Sequence, residues 1–333
     1  MIGRIAVTLC AALIGTNAAA EPVTLKFANP GVPTSPLMSR IFMPMGERLN
    51  KATDGEIELK FFSGPTLATY ANVYDRVLNG VVDLAFGLLG PTSAAFPKST
   101  VTALSFEHKN GASASLAIWR MIGSGVLADE WRAVKVVAPM VFPPQLLHSR
   151  NPIAALADIR GIKMSAQTRP TGESIERLGG VPITMPVSEL YPSLQRGLIE
   201  VATIGWAAAL TYKLSEVATY HIQVPLGGEL TYIIMNKDSY ARLSTKSRQA
   251  FDDLLGDAFA RHVGEILDGI DTENRNTTAA SPGQNVTALA PAEEARWKAL
   301  VAPVTEAWVK TTPDGAKVLA AYRAEVARAV AEK

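Results

Sequence analysis

The run from Ala157 to Trp206, ADIRGIKMSAQTRPTGESIERLGGVPITMPVSELYPSLQRGLIEVATIGW, alternates short apolar segments with two helical ones. GIKMSA reads as a strand, and the polar loop QTRPT follows it. Thr171 can cap a short helix in which Ile175 and Leu178 share a face, and Gly179-Gly180 ends it. VPITMP is a second brief extended run. Ser188 can cap the next helix, and Glu189 sits in its first turn, where negative charge suits the helix dipole. Pro192 is tolerated in that turn because its backbone N–H groups lack helical partners anyway. Leu190 and Leu194 line one side, and Gly197 stops the helix. LIEVATIG then reads as a buried strand. This β-α-β-α-β order predicts a parallel sheet, with small-molecule sites where its strands end.

The flanking chain repeats the theme. VTLKFAN alternates apolar and polar residues and predicts a first strand. Leu37, Ile41, Met45 and Leu49 mark a helix that Pro44 should kink. IELKFF, the helix NVYDRVLNG and VVDLAFG complete a β-α-β-α-β order from Val23 to Gly87. SLAIWRMIGSGVLADEWRAV reads as one or two helices and VKVVAPMVF as a buried strand. PPQLLHSRNP leads into a second lobe, and TYIIMNKDSYARLS looks like a strand returning to the first. Helical spacing from Ser247 to Ile270 predicts one long amphipathic helix, and VTALAPAEEARWKAL and the tail to Lys333 predict further helices. A chain that passes more than once between lobes suits a hinged clamshell.

Residues 1–20 have the pattern of a secretory signal: Arg4, the apolar core IAVTLCAALIG, and Ala18-Ala19-Ala20 as a cleavage site, with cleavage after Ala20. The apolar core is too short for a membrane span. Cys10, the only cysteine, leaves with it. Removing Arg4 from the 32 Lys and Arg leaves 31 against 31 Asp and Glu, which argues against a nucleic-acid partner. No other stretch is long and apolar enough to cross a membrane, so an exported, diffusible protein is expected.

Enzymatic signatures are poor. His108, His148, His221 and His262 are scattered without metal-ligand spacing, and there is no G-x-S-x-G elbow or phosphate loop. No cofactor, metal or catalytic residue is expected. The pattern favours a binding protein.

"ADIRGIKM", "LGGVPITMPVSELYPSLQRGLIE" and the following Trp206 resemble the substrate-binding proteins of tripartite ATP-independent periplasmic (TRAP) transporters, the DctP family. The resemblance runs from Pro22 to the C-terminal region. It implies an α/β, two-lobed periplasmic binding protein, a clamshell with open, mixed, mostly parallel sheets and a long C-terminal helix bridging the lobes. Lobe I is expected over 21–142 plus 231–270, and lobe II over 143–230 plus 271–333. It also implies a periplasmic receptor that takes a small organic acid and delivers it to TRAP membrane subunits.

Family members usually meet the carboxylate with an Arg directly after "GLKI"; here Ser165 stands there. A second Arg of sialic-acid binders aligns with Gln145, and the Asn of the family's "ENP" with Ile204. Part of the family reads roughly "RAPSR..G" and "PWE" at these sites, and this chain keeps Arg169 and Trp206 of that pattern. The resemblance therefore implies Arg169 as the carboxylate's partner, because a guanidinium fork matches a carboxylate, with Trp206 as a pocket wall. A surface ion pair for Arg169 and core packing for Trp206 stay open. Tyr70, Gln145 and Ser165 are further polar candidates, and Glu229 and Tyr232 could meet an amine. Leu88, Val187 and Ile204 predict an apolar side, hence a monocarboxylate with an apolar or aromatic body. The alternatives are a neutral or amine-bearing solute held by Glu229 and Trp206, a secreted enzyme on a similar scaffold, or a sensing subunit.

Overall fold

In a computed structural model, residues 22–332 are described, so the expected signal segment and its cleavage point lie outside the described residues. The chain runs β1 (Val23–Asn29), α1 (Met43–Ala52), β2 (Ile57–Ser63), α2 (Val73–Leu78), β3 (Leu84–Leu88), α3 (Gly111–Gly123), α4 (Ala128–Trp131), β4 (Lys135–Val141) and β5 (Leu146–Ser149). It continues through β6 (Lys163–Ala166), α5 (Arg169–Arg177), β7 (Val181–Thr184), α6 (Leu190–Arg196), β8 (Val201–Ile204), α7 (Trp206–Thr211), β9 (Tyr220–Gln223) and β10 (Leu230–Met235). Last come α8 (Lys237–Ala241), α9 (Thr245–Leu254), α10 (Asp257–Ala280), β11 (Asn285–Ala288), α11 (Pro291–Thr311) and α12 (Gly315–Ala331).

The first sheet has the order β2-β1-β3-β10-β4. β1 lies parallel to β2 and β3, as the alternating order predicts. β10 returns from the second lobe and inserts antiparallel between β3 and β4. All six of its residues are buried because helices cover both faces of the sheet. Phe27, Phe42, Met45 and Phe86 pack under α1, α9 and α10 on one face. Tyr74, Trp131, Tyr232 and Tyr322 fill the other.

The second sheet has the order β11-β9-β5-β8-β6-β7. The organising run supplies one parallel part, with β6 between β7 and β8, and β11 lies parallel to β9 at the other edge. β5 joins antiparallel to β8 and β9. Met164, Ile175 and Trp297 pack on one face, and Leu190, Leu194, Ile204 and Ala209 on the other. Both sheets are mixed, as expected: among the described residues five strand pairs are parallel and four antiparallel, the antiparallel ones arising where β5 and β10 join.

The chain crosses between lobes at 142–145, at 224–229, along α10 and along α11. The two loop crossings are tied together: Phe142 N–H donates to the Glu229 carbonyl (3.0 Å), and Gln145 N–H to that of Gly227 (2.7 Å). Gly227 adopts φ 81°, and a side chain there would strike the Ala103 backbone. α10 packs Phe259, Val263 and Leu267 into the first lobe. Asp268 accepts the Gly111 and Ala112 N–H groups at the start of α3 (2.6 and 3.0 Å). One turn on, Asp271 accepts the Trp206 N–H at the start of α7 in the second lobe (3.0 Å). One helix thus caps an N-terminus in each lobe.

Four expectations need correction. The single helix over Ser247–Ile270 is two, broken at Leu255-Gly256, where Gly256 takes φ 131°. The apolar rows of α9 and α10 keep phase across the break, so periodicity does not reveal it. The segment VTALAP is not helical throughout: Asn285–Ala288 is an edge strand beside β9, held by backbone bonds with little burial. The helix expected to start at Thr171 starts at Arg169, with Thr168 as its cap. Pro170 fits that first turn, where no N–H is needed. Finally, the block 271–333 does not sit as one piece with lobe II. Trp297 and Val301 pack there, but Trp308, Val318, Leu319 and Tyr322 enter the first lobe's core. Among the described residues no helix is long and apolar enough to cross a membrane.

Candidate functional site between the lobes

A cavity of about 430 Å³ lies between the lobes. Strand ends build its walls. Asn29 ends β1, Leu88 ends β3, Gln167 follows β6, Thr184 ends β7, and Ile204-Gly205 ends β8. These are the carboxyl ends of parallel strands, where an α/β sheet leaves a crevice. The crossing segments contribute Phe142, Gln145, Glu229 and Ile270. α7 offers Ala207, Ala208 and Thr211, with Tyr212 just beyond its end. Phe86, Leu88, Val187 and Ile204 make much of the surface apolar, as expected of a site for a compact organic molecule. The lobes meet closely at Gly90, where a Cβ would come within 2.9 Å of the Gln167 carbonyl oxygen.

The electrostatics of the cavity are unusual. Among the described residues no Lys, Arg or His lines it, and Glu229 is its one carboxyl. Glu229 is 9% exposed. Its Oε1 accepts the Gly90 N–H at 2.9 Å, and Oε2 has no protein partner. Burial pushes this carboxyl up to about 7, opposed by the Gly90 N–H. Gln145 Oε1 and both amide atoms of Gln167 are likewise buried without protein partners. Such groups are ordinarily satisfied, so their grouping around one cavity points to a polar guest. The phenols of Tyr70 and Tyr212 complete the polar set. Burial raises both, and Tyr212 raises Tyr70 further.

The expected residues divide. Tyr70, Gln145 and Glu229 line the cavity, as do Leu88, Val187 and Ile204. Arg169, Trp206 and Ser165 do not. As the first residue of α5, Arg169 places a cation at the positive end of a helix dipole. Its guanidinium turns outward, 80% exposed, and pairs with Glu173 one turn on (2.7 Å). Ser165 faces its neighbouring strand, where Oγ accepts the Thr203 N–H (2.9 Å). Trp206 is 3% exposed and packs behind Gly205 against His148 and His221, ring centroids 5.1 and 5.0 Å away. The fold also brings those two histidines together, Nδ1 to Nδ1 at 2.7 Å, although the sequence scatters them. Burial, then the neighbouring His221, lowers His148 to about 3; burial lowers His221 as well.

Sequence reasoning missed Gln167, Tyr212, Asn29 and Thr184. Gln167 carried a usable signal, since it directly follows the strand KMSA, where the strand-end rule places ligand contacts. Tyr212 carried another: it follows Ala208 by four residues, on the same side of a helical turn.

Comparison with known proteins adds to this geometry. The DctP family of bacterial extracellular solute-binding proteins, family 7, matches residues 31–311. The chain superposes with a TM-score of 0.87 on a TRAP solute-binding protein from Rhodoferax ferrireducens solved with copurified benzoate. Identity there is 27%, covering 92% of this chain and 98% of that one. A marine metagenome TRAP solute-binding protein specific for aromatic acid ligands, solved with metahydroxyphenylacetate, gives 0.88 at 26% identity, covering 92% and 99%. In sequence, the outer membrane transporter protein TsaT of Comamonas testosteroni is 25% identical over 305 residues, 89% of each chain.

Proposed function

The chain belongs to the DctP family of bacterial extracellular solute-binding proteins, family 7, and from that membership we propose that it is the periplasmic receptor of a TRAP transporter for a small organic acid with an apolar or aromatic body. The observation that carries the ligand class is the inter-lobe cavity, walled by Phe86, Leu88, Phe142, Val187 and Ile204, with a few polar groups clustered in it. Relatives above 25% identity solved with benzoate and metahydroxyphenylacetate support the same class. The aromatic or aliphatic body packs against the apolar wall. The polar end meets Gln145, Gln167, Tyr70, Tyr212 and Glu229. Closure about the crossings at 142–145 and 224–229 sequesters the acid, and the closed form is what the TRAP membrane subunits receive. The signal segment directs export and is cleaved after Ala20.

A thermal-shift panel at pH 6 tests this reading, because a ligand that binds only the folded protein raises its melting temperature by mass action. Benzoate, mandelate and 3-hydroxybenzoate should raise it at millimolar concentration and be recovered unchanged. No shift with any small organic acid would remove the ligand assignment.

One observation favours a second reading. Among the described residues Glu229 is the only carboxyl lining the cavity and no cation lines it, which suits an amine-bearing solute. In that case benzylamine, not benzoate, raises the melting temperature, and more so at pH 8 than at pH 6.

A further inference from the structure

A carboxylate entering this cavity meets no Lys, Arg or His among the described residues. It meets a carboxyl group instead. Glu229 is more than nine-tenths buried, with Oε1 held by the Gly90 N–H and Oε2 unpartnered. It sits in the crossing segment beside Gln145, whose own Oε1 has no protein partner, and Gln167 offers an unpartnered amide Nε2. Two ionised carboxylates about 4 Å apart at an effective dielectric of about 20 disfavour one another by roughly three powers of ten. The same pair sharing one proton forms a short, charge-assisted hydrogen bond.

Resting on the reading of this protein as an organic-acid receptor, we propose that Glu229 holds its ligand as a neutral carboxylic acid: Oε2–H donates to the bound carboxylate while Oε1 keeps the Gly90 N–H. The anion and one proton therefore enter together. The proton comes from solvent onto Glu229 Oε2 and returns to solvent when the acid leaves. Gln145 and Gln167 supply further neutral contacts, and the positive charge other binding sites draw from arginine is carried here by a proton.

The groups facing Glu229 add no cation. Tyr232 stands three residues on, in β10, and its phenol is raised by burial. Tyr70 and Tyr212 line the same cavity as neutral phenols. His108 lies beside Gly228 and is driven down to about 4 by burial, so it is uncharged near neutrality. Asp271 is raised to about 7 by burial, but it caps Trp206 behind Gly205 and does not line the cavity. Among the described residues Glu229 is the one carboxyl that lines the cavity.

Calorimetry of the mature protein with sodium benzoate, in two buffers of different ionisation enthalpy from pH 6 to 8.5, tests the proposal. Affinity should fall about tenfold per pH unit above pH 7, with about one proton taken up per ligand at pH 8 and fewer at pH 6. Glu229→Gln should bind benzoate more weakly at pH 6, with an affinity that no longer varies with pH and no proton uptake. Asp271→Asn should keep the wild-type pH dependence. Affinity independent of pH without proton exchange in the wild type overturns the proposal, even if Glu229→Gln does not fold. So does proton uptake that survives in Glu229→Gln. If benzoate, mandelate and 3-hydroxybenzoate all fail to bind while benzylamine binds more tightly as pH rises, the organic-acid reading itself falls and this proposal with it.

Discussion

Gln167 and Arg169 leave the same strand two residues apart and end in different surroundings. Gln167 remains in the strand-end crevice. Arg169 has become the first residue of a helix, and its charge is drawn outward to Glu173. An exposed i,i+4 ion pair contributes little, about 0.3–0.5 kcal/mol. Arg169→Ala should therefore change benzoate affinity by less than twofold and leave the melting temperature within about 2 °C of wild type. A tenfold loss in calorimetry would return the guanidinium to the binding site. The family pattern and its place just after a strand made Arg169 the natural anchor, because a buried carboxylate ordinarily calls for a cation. What these did not reveal is direction. Ser165 and Trp206 share that fate, one bonded to the next strand and the other turned onto a histidine pair. Leu88 and Ile204 were legible because they end strands, and Gln145 and Glu229 because they sit in lobe crossings, whereas Tyr70 and Val187 lie in turns between elements and were marked only by the family resemblance. At strand ends and crossings, position dictates facing.

Among elements, α10 carries the most structural information. It crosses α3 at glycines: a Cβ on Gly264 would lie 2.5 Å from the Ala112 Cα and 2.6 Å from the Gly111 carbonyl oxygen. Backbone atoms cannot move aside as a side chain tip can. Gly264→Ala should cost about 1–3 kcal/mol from overpacking, even though alanine favours a helix. Urea unfolding would show this as a lower midpoint at unchanged slope. A variant as stable as wild type would mean that the helices separate freely at the crossing. The close approach matters because Asp268 caps α3 in one lobe while Asp271 caps α7 in the other. A helix forced away from α3 disturbs both. The amphipathic rows from Phe251 to Ile270 were legible in the sequence; the break at Gly256 was not, because both halves bury the same face. The edge strand β11 was illegible for a different reason. Its pairing with β9 is backbone to backbone, and no apolar alternation is needed to hold it.

At the scale of the whole molecule, two sets of buried groups pull stability in opposite directions with pH. Glu229 and Asp271 both have carboxyls raised to about 7 in the folded protein, mainly by burial. Between their ordinary values near 4 and pH 7 the unfolded chain has released those protons and the folded one has not. Stability from this pair is thus fully present at low pH and is lost as pH rises to 7, by on the order of 2 kcal/mol per group between pH 4.5 and 6.5. The histidines act the other way. Burial lowers His108 to about 4 and, with help from His221, His148 to about 3, and it lowers His221 too. Below pH 6.5 the unfolded chain takes up protons that the folded chain refuses, so stability is lost as pH falls. The two sets oppose each other from pH 4.5 to 6.5, and wild-type stability should be nearly level there, within about 1–2 kcal/mol. Above pH 6.5 the carboxyl loss continues by about 1–2 kcal/mol to pH 8, offset by about 1 kcal/mol as the histidines of the unfolded chain, half protonated at about 6.5, release the rest of their protons. Replacing both carboxyls removes one side of the opposition. Glu229→Gln/Asp271→Asn keeps an oxygen to accept the Gly90 and Trp206 N–H groups. Its stability should climb by several kcal/mol from pH 4.5 to 6.5 and by about 1 kcal/mol more to pH 8. Urea titrations of both proteins at pH 4.5, 6.5 and 8 would decide the matter. Parallel profiles for the two would show that these carboxyls are ionised throughout the folded protein, and that its buried histidines stand without an opposing pair.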